Sequence, residues 1–345
     1  MNPIIWSILI TSLSTSTIIT MASHHWILAW LGLELNTLSI LPIIMKLHHP
    51  RATEATMKYF LVQTLAASMI LFASTLNAWQ TGLWTTMNPT TTTTTIITMA
   101  VLLKLGAAPT HLWYPDVLQG TTLNTALLLS TWQKLAPLTL LYMMHSNLPT
   151  NLLLLTGLLS ALLGGWAGLN QTQTRKIMAH SSIAHMGWIL IALTTSPQLT
   201  TLTMLTYMMM TTAMFSMLNT NTTKTITDMG TTWSMSPTMT TLTLMTLTSL
   251  GGLPPMTGFM PKLLILNELM TESLLTLATT LALASLPSLF FYIRMAYTTT
   301  LTTPPNTTNT EYKWRFKSTS KPSPTPMMTL ALLTMPLTPM MYTTT

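Results

Sequence analysis

The sequence predicts an all-α polytopic membrane protein with about eleven transmembrane helices. Two observations lead to this class. Only 6% of the 345 residues are charged and 48% are apolar, with a mean hydropathy of +0.47, whereas a soluble domain carries about a quarter charged residues. The apolar residues also form successive stretches of roughly 20 residues, which is the length of a helix that crosses a bilayer.

The predicted spans follow the apolar stretches between prolines, glycines and polar loops. Most polar residues within them are threonines, whose hydroxyls can donate to the carbonyl one turn earlier and so fit a buried helix. The run Thr90–Thr95 is interpreted as compositional bias without a packing role. The spans cover residues 3–21, 25–45, 55–79, 92–118, 121–144, 149–169, 175–195, 199–219, 238–271, 275–298 and 325–343.

The fourth and ninth spans are long, and glycine and proline interrupt both. The interruptions read LGAAP at 105–109 and LGGLPPMTGFMP at 250–261. A helix break inside a membrane is tolerated where protein or water satisfies the exposed backbone groups. Because the broken span is fourth in each successive set of five, and five crossings reverse the direction of entry, we expect two inverted five-helix repeats. The repeats would cover 1–145 and 146–299, followed by a basic loop and a C-terminal transmembrane helix at 300–345.

The basic residues are distributed unequally between the two predicted sides. The loops after the odd-numbered spans and the C-terminal tail hold no Lys or Arg. By the positive-inside rule, the N-terminus and the basic loops therefore face the compartment of synthesis, and the C-terminus faces the other side. Membrane topology then explains the net charge of +7, which does not indicate a nucleic-acid partner. The even-numbered loops and adjoining helix ends hold eleven of the 14 basic residues: Lys46, Arg51, Lys58, Arg175, Lys176, Lys224, Arg294, Lys313, Arg315, Lys317 and Lys321.

Topology does not explain the three remaining cations, Lys104, Lys134 and Lys262, which fall inside spans, as does Glu34. An ionisable group at the centre of a membrane helix costs about 2.5–3.5 kcal/mol, so such groups persist where they pair or line a hydrated cavity. Lys104 and Lys262 each adjoin a helix break, and transporters place ion sites at such half-helix ends. The pattern indicates a proton pathway, with structural ion pairs between helices as the alternative.

Histidines add one candidate to this pathway. His185, in HSSIAHMGW of the second span of the second repeat, occupies the place that Glu34 has in the first repeat, and it is a candidate proton-relay group or an interhelical hydrogen-bonding residue. The adjacent pairs at 24–25 and 48–49 lack the spacing of metal ligands, so no metal site is expected. The chain has no cysteine, which excludes disulfides, cysteine-ligated metals and iron–sulfur clusters. Trp113, near a span end, is interpreted as part of an interfacial aromatic belt.

Five segments together resemble a known family. They are EATMKYFLVQ at 54–63, LKLGAAPTHLWYPDVLQG at 103–120, STWQKLAP at 130–137, RKIMAHSSIAHMGW at 175–188 and SLGGLPPMTGFMPKLLILNEL at 249–269. In this order they resemble the mitochondrially encoded chain 2 family of NADH:ubiquinone oxidoreductase, whose members are antiporter-like membrane subunits of respiratory complex I.

The resemblance implies a function and roles for four residues. Members of the family hold no redox centre and are thought to move protons while electron transfer proceeds elsewhere in the complex. Glu34 matches the glutamate of the family's half-channel, Lys104 the lysine of the first broken helix, Lys134 the connecting lysine and Lys262 the lysine of the second broken helix. The expected setting is the mitochondrial inner membrane, with the basic loops on the matrix side and the C-terminus on the intermembrane-space side.

The resemblance also implies the partners. These are other membrane-arm subunits of complex I, including neighbouring antiporter-like subunits, and membrane lipids. NADH, FMN, iron–sulfur clusters and ubiquinone would be bound by other subunits, and no cofactor is expected in this chain. Two alternatives stay open: a free-standing cation/proton antiporter of the same fold, and an architectural membrane subunit whose lysines are permanently paired.

Overall fold

The computed structural model describes residues 3–45, 49–235, 237–301 and 324–344, and this part of the chain is almost entirely helical. Most of the predicted basic loop, 302–323, and Lys46 lie outside the described residues. The helices are α1 (Pro3–Ala22), α2 (Trp26–Ile44), α3 (Pro50–Thr81), α4 (Thr91–Leu105), α5 (Trp113–Gly120), α6 (Leu123–Ser130), α7 (Trp132–Met143), α8 (Thr150–Gly168), α9 (Thr174–Thr195), α10 (Pro197–Asn221), α11 (Ile226–Met235), α12 (Pro237–Gly251), α13 (Phe259–Thr271), α14 (Leu275–Leu301), α15 (Thr325–Leu333) and α16 (Thr338–Thr344).

Seven of the described helices are individually long and apolar enough to cross a membrane: α1, α2, α3, α8, α9, α10 and α14. Each of the four other predicted spans consists of two shorter helices, α4 with α5, α6 with α7, α12 with α13, and α15 with α16. The all-helical membrane class predicted from the sequence is therefore confirmed.

The two predicted helix breaks begin in the same way. Gly106 after α4 and Gly252 after α12 have φ angles of 69° and 79°, the left-handed region that glycine adopts without a steric penalty. In each case the glycine N–H donates to the carbonyl three residues earlier, and the next N–H donates to the carbonyl five residues before it. This hydrogen-bond pattern is a Schellman-type helix end. Backbone N–H groups therefore satisfy some of the carbonyl groups in the last turn of the helix at both breaks.

Two features of the helices were not predicted. The fifth span divides at Thr131, whose hydroxyl donates to the Leu127 carbonyl, and such back-bonding bends helices. The amphipathic helix α11 precedes the ninth span; Asp228 accepts hydrogen bonds from the N–H groups of Lys224 and Thr225, and the Thr225 hydroxyl accepts one from the Asp228 N–H. These backbone hydrogen bonds lower the pKa of Asp228. The sequence signal is the capping box Thr225-Ile-Thr-Asp228.

The threonine hydroxyls behave as expected in the helices. The hydroxyls of Thr93, Thr94 and Thr95 donate to the carbonyls three residues earlier. The interpretation of this run as mere bias was wrong, however, because it starts α4 and packs against α3. Thr93 is fully buried within hydrogen-bonding distance of Asn77, whose amide oxygen also accepts from the Thr90 N–H.

The chain divides into two compact units within α8, Met1–Ser160 and Ala161–Thr345. In the first unit α3 packs against α2, α4 and α5, and α7 packs against α4. In the second unit α10 packs against α9, α12, α13 and α15, and α14 packs against α11 and α12. Each unit places a broken helix beside long continuous ones, and the three lysines inside the spans lie close to helix breaks.

Candidate functional site

A buried cavity lies among α2, α3, α4, α5 and α7 in the first unit, and we call it the inner cavity. The space in it that is open to the centre of a water molecule has a volume of about 20 Å³. This is room for about one water molecule. Two of the three lysines inside spans line it together. Its walls are formed by Leu33, Asn36, Thr37, Tyr59, Gln63, Lys104, Leu105, Trp113, Tyr114, Leu129, Gln133, Lys134 and Pro137.

Lys104 reaches the inner cavity from the last turn of α4. The residue is 6% exposed, and its ammonium group makes no hydrogen bond or ion pair with any residue that the structure describes. Its backbone carbonyl accepts a hydrogen bond of 3.3 Å from the Gln63 amide. A cation in the last turn of a helix is stabilised by the helix dipole, so the break itself favours a charge at this point.

Glu34 lies on the α2 turn that lines the inner cavity, and it is an acidic group that acts on Lys104. Its carboxylate interacts electrostatically with Lys104 and with Tyr59. One carboxylate oxygen is buried and makes no hydrogen bond within the described part of the chain. Glu34 and Lys104 are therefore coupled through their charges without being locked in a direct salt bridge.

Lys134 enters the same cavity from the first turn of α7, just beyond the break at Thr131. It is 3% exposed, and its ammonium nitrogen lies 5.1 Å from the centre of the Tyr114 ring. An aromatic face stabilises a desolvated cation. Lys134 thus lies just after the unpredicted break in the fifth span and lines the same cavity as Lys104.

A chain of neutral polar groups crosses the inner cavity. The Tyr59 hydroxyl donates to the Gln133 amide oxygen at 3.3 Å, and the Gln133 amide nitrogen donates to the Asn36 amide oxygen at 3.0 Å. The chain joins α3, α7 and α2. Because buried amides and hydroxyls need hydrogen-bond partners, this chain holds the three helices in register around the lysines.

A comparable cavity in the second unit contains Lys262. The space open to the centre of a water molecule again has a volume of about 20 Å³. The lining residues include Trp188, Tyr207 and His185. The Lys262 ammonium group donates to the Gly251 carbonyl at 2.9 Å and lies 5.7 Å from the Trp188 ring centre. Lys262 extends from α13 back to the last turn of α12, so its charge also lies at the C-terminal end of a half-helix.

His185 lies in the same cavity as Lys262. Its ring lies 5.5 Å from that of Tyr207, tilted by 44°. The sequence suggested His185 from its position within the repeat, and the structure places it beside the lysine of its own unit.

The sequence did not predict the neutral residues of the two cavities, among them Tyr59, Gln63 and Gln133. These residues could have been found as polar side chains inside apolar spans. The same pattern identified the lysines. Trp113, which the sequence assigned to an interfacial belt, lines the inner cavity and packs edge-on against Tyr59 with ring centres 5.8 Å apart.

Broken helices with a lysine ammonium group at the C-terminal end of the first half define a class, the antiporter-like membrane subunits. A model of the NADH:quinone oxidoreductase/Mrp antiporter transmembrane family matches residues 23–287, and one of the NADH dehydrogenase subunit 2 C-terminus matches 289–342. NADH-ubiquinone oxidoreductase chain 2 of Carassius auratus is 53% identical over the full length of both chains, and that of Xenopus laevis is 49% identical over 96% of each. The chain belongs to the NADH-ubiquinone oxidoreductase chain 2 family.

Solved structures show the same fold at low sequence identity. A chain of respiratory complex I from Thermus thermophilus superposes with a TM-score of 0.82 at 24% identity, over 97% of this chain and 77% of that one. A chain of the Mrp complex from Dietzia sp. superposes with a TM-score of 0.81 at 14% identity, over 97% of this chain and 75% of that one.

Proposed function

We propose that this chain translocates protons as an antiporter-like membrane subunit of the respiratory NADH:ubiquinone oxidoreductase, by relaying them along Glu34, Lys104, Lys134 and Lys262. The observation that carries the relay is the inner cavity, where Lys104 and Lys134 meet and where the Lys104 ammonium group has no partner among the described residues. A buried lysine left without a fixed partner is able to gain and lose its proton as nearby charges change.

The relay follows from electrostatic coupling between the groups. A carboxylate favours the protonated form of a neighbouring lysine. Two unit charges 4 Å apart near a protein surface interact by about 4 kcal/mol, which alters proton affinity by up to roughly a thousandfold. A change in the charge at Glu34 would therefore release the Lys104 proton across the inner cavity to Lys134. Lys262, with His185 beside it, would exchange the proton with the opposite side of the membrane.

The remaining assignments come from the family. We propose that the chain lies in the mitochondrial inner membrane, with the N-terminus and basic loops in the matrix and the C-terminus in the intermembrane space. Its neighbours would be other membrane-arm subunits of complex I and lipids, and the redox cofactors would belong to other subunits. The five-helix repeats at 1–145 and 146–299 are part of this proposal, since each contains one broken fourth span.

Two observations separate this function from its alternatives. A free-standing antiporter would migrate alone on a native gel, whereas a complex I subunit migrates with NADH dehydrogenase activity at very high mass. An architectural subunit would hold its lysines in permanent ion pairs, and Lys104 makes no such pair with a described residue.

Glu34→Gln tests the coupling directly. We expect the assembled complex to pump protons at a rate reduced roughly a hundredfold, the lower end of what a positioned proton-transfer group contributes. The reason is that a neutral amide cannot modulate the charge on Lys104. Proton uptake during NADH oxidation in sealed vesicles measures the rate, and Glu272→Gln, at an exposed acid outside the cavities, is the matched control. Pumping at the control rate in Glu34→Gln would remove Glu34 from the relay.

A further inference from the structure

A second cavity in the first unit opens at the surface between α3 and α5, two of the helices that line the inner cavity. We call it the outer cavity. The space in it that is open to the centre of a water molecule has a volume of about 300 Å³. Its charged lining residues are Arg51, Glu54, Lys58 and Asp116. Three of these residues are on α3 and one is on α5. Asp116 lies on α5, the second half of the broken span whose first half carries Lys104, so the outer cavity shares a structural element with the relay.

Lys58 ties the two carboxylates of the outer cavity together. Its ammonium group lies 2.8 Å from the Glu54 carboxylate and 3.1 Å from that of Asp116. The side chains of Lys58, Glu54 and Asp116 are 42%, 63% and 48% exposed. Exposed ion pairs contribute about 0–1 kcal/mol to stability. Stability alone is therefore a weak reason for this cluster.

The outer and inner cavities follow each other along α3 and α5. On α3, Lys58 lines the outer cavity and the next residue, Tyr59, lines the inner one. On α5, Asp116 lines the outer cavity, and Trp113, one helical turn away, lines the inner one. At a rise of about 1.5 Å per residue, Asp116 and Trp113 are separated by about 4.5 Å along the helix axis.

Tyr59 and Trp113 are the inner-cavity residues closest along α3 and α5 to the residues of the outer cavity, and we call this pair the partition. Their rings meet edge-on with centres 5.8 Å apart. The partition is polar as well as aromatic: the Tyr59 hydroxyl donates into the amide chain of the inner cavity, and the Trp113 indole N–H is buried without a hydrogen-bond partner among the described residues. The Tyr59 hydroxyl can both accept and donate a hydrogen bond and can therefore pass a proton on, whereas the Trp113 indole N–H only donates.

Close packing keeps α5 against α3 at the outer cavity. A Cβ atom on Gly120 would lie 2.6 Å from the Ala55 Cβ and 2.7 Å from the Arg51 carbonyl oxygen. Any side chain at this position would push the helices apart. Glycine thus allows the acid of α5 to approach the lysine and acid of α3.

We propose that Glu54, Lys58 and Asp116 form the proton port of the first unit, through which the inner cavity exchanges protons with the aqueous side that carries the basic loops. Glu54 or Asp116 binds a proton from water and passes it inward through the partition formed by Tyr59 and Trp113. The carboxylate regains its negative charge as the proton leaves. The Lys58 ammonium group holds both carboxylates at the mouth. This inference rests on the proposed function of the inner cavity.

The test is the double variant Glu54→Gln/Asp116→Asn in assembled complex I within sealed vesicles. We expect pumping to fall roughly tenfold, less than the 10²- to 10⁴-fold contribution of a positioned acid–base group, because water partly replaces a surface donor. Imidazole added on the port side should restore the rate, since a small buffer can carry protons to the partition. A purely structural role for the cluster would not respond to the buffer. Glu268→Gln/Glu272→Gln removes the same charge on α13 and its C-cap and serves as the matched control.

Two results would overturn the port: pumping at the control rate, or a slow rate that imidazole does not restore. If the double variant does not assemble, Glu54→Gln and Asp116→Asn are measured separately; each leaves the other carboxylate paired with Lys58, so the port predicts a smaller loss of pumping that imidazole restores. Lys104→Met separates the two proposals. Loss of pumping in Lys104→Met with normal pumping in the port variant would reject the port alone, whereas normal pumping in Lys104→Met would reject the relay itself.

Discussion

Lys104→Met is expected to abolish coupled proton pumping while complex I still assembles. Methionine is unbranched and apolar, so it fills the space of the lysine stem in the inner cavity. Because no described residue pairs with the Lys104 ammonium group, the substitution leaves no hydrogen-bond partner behind. The relay, however, loses the group that links Glu34 to Lys134. We expect pumping to fall at least roughly a hundredfold, as for the removal of an essential proton-transfer group.

Proton uptake per NADH oxidised, normalised to the amount of assembled complex on a native gel, measures the effect of Lys104→Met. Lys104→Arg is the decisive companion, since arginine keeps the positive charge but does not deprotonate in proteins. It should assemble and fail to pump. Lys224→Met, at an exposed lysine, controls for loss of a cation. Normal pumping in Lys104→Met, or full pumping in Lys104→Arg, would contradict a proton-transfer role for this residue.

Lys262→Met is expected to stop pumping in the same assay, and Lys262→Gln separates its two roles. The Lys262 ammonium group donates to the Gly251 carbonyl at the end of α12, so the residue caps a half-helix as well as carrying a charge. Glutamine can supply a neutral donor to that carbonyl but cannot relay a proton. We therefore expect Lys262→Gln to assemble better than Lys262→Met and to pump as poorly.

The architectural alternative predicts the opposite for Lys262. If the residue serves only to hold the helix break, Lys262→Met should lower the amount of assembled complex while pumping per assembled complex stays unchanged. Lys262→Gln should then restore assembly and pump normally. The ratio of pumping to assembled complex in the two variants distinguishes a relay from a cap.

The spans and the two main helix breaks could be predicted because their causes are local. Apolar length determines a membrane helix, and Gly106 and Gly252 end α4 and α12 at left-handed φ angles that few other residues adopt. The division of the fifth span at Thr131 was missed, because back-bonding by a threonine hydroxyl is common in continuous helices too. Its effect depends on the packing of α7 against α1, α2 and α4, and this packing cannot be deduced from the local sequence.

The ionisable residues of the site could be predicted because burying a charge in a membrane is expensive wherever it occurs. The neutral residues were missed because their importance depends on which helices meet. Gln133 matters because its amide bridges Tyr59 and Asn36, and Tyr114 because its ring faces Lys134. The same holds for the outer cavity, whose acids are ordinary surface residues until α5 is placed against α3.

A map of the assembled complex that resolves ordered water tests the relay most directly. Our account predicts water in the inner cavity, connecting the Glu34 carboxylate, the Lys104 ammonium group and Lys134. The inner cavity should contain this water in the complex even though Lys104 is nearly inaccessible from outside. A dry inner cavity, with Lys104 held in a fixed ion pair by a neighbouring subunit, would contradict the account.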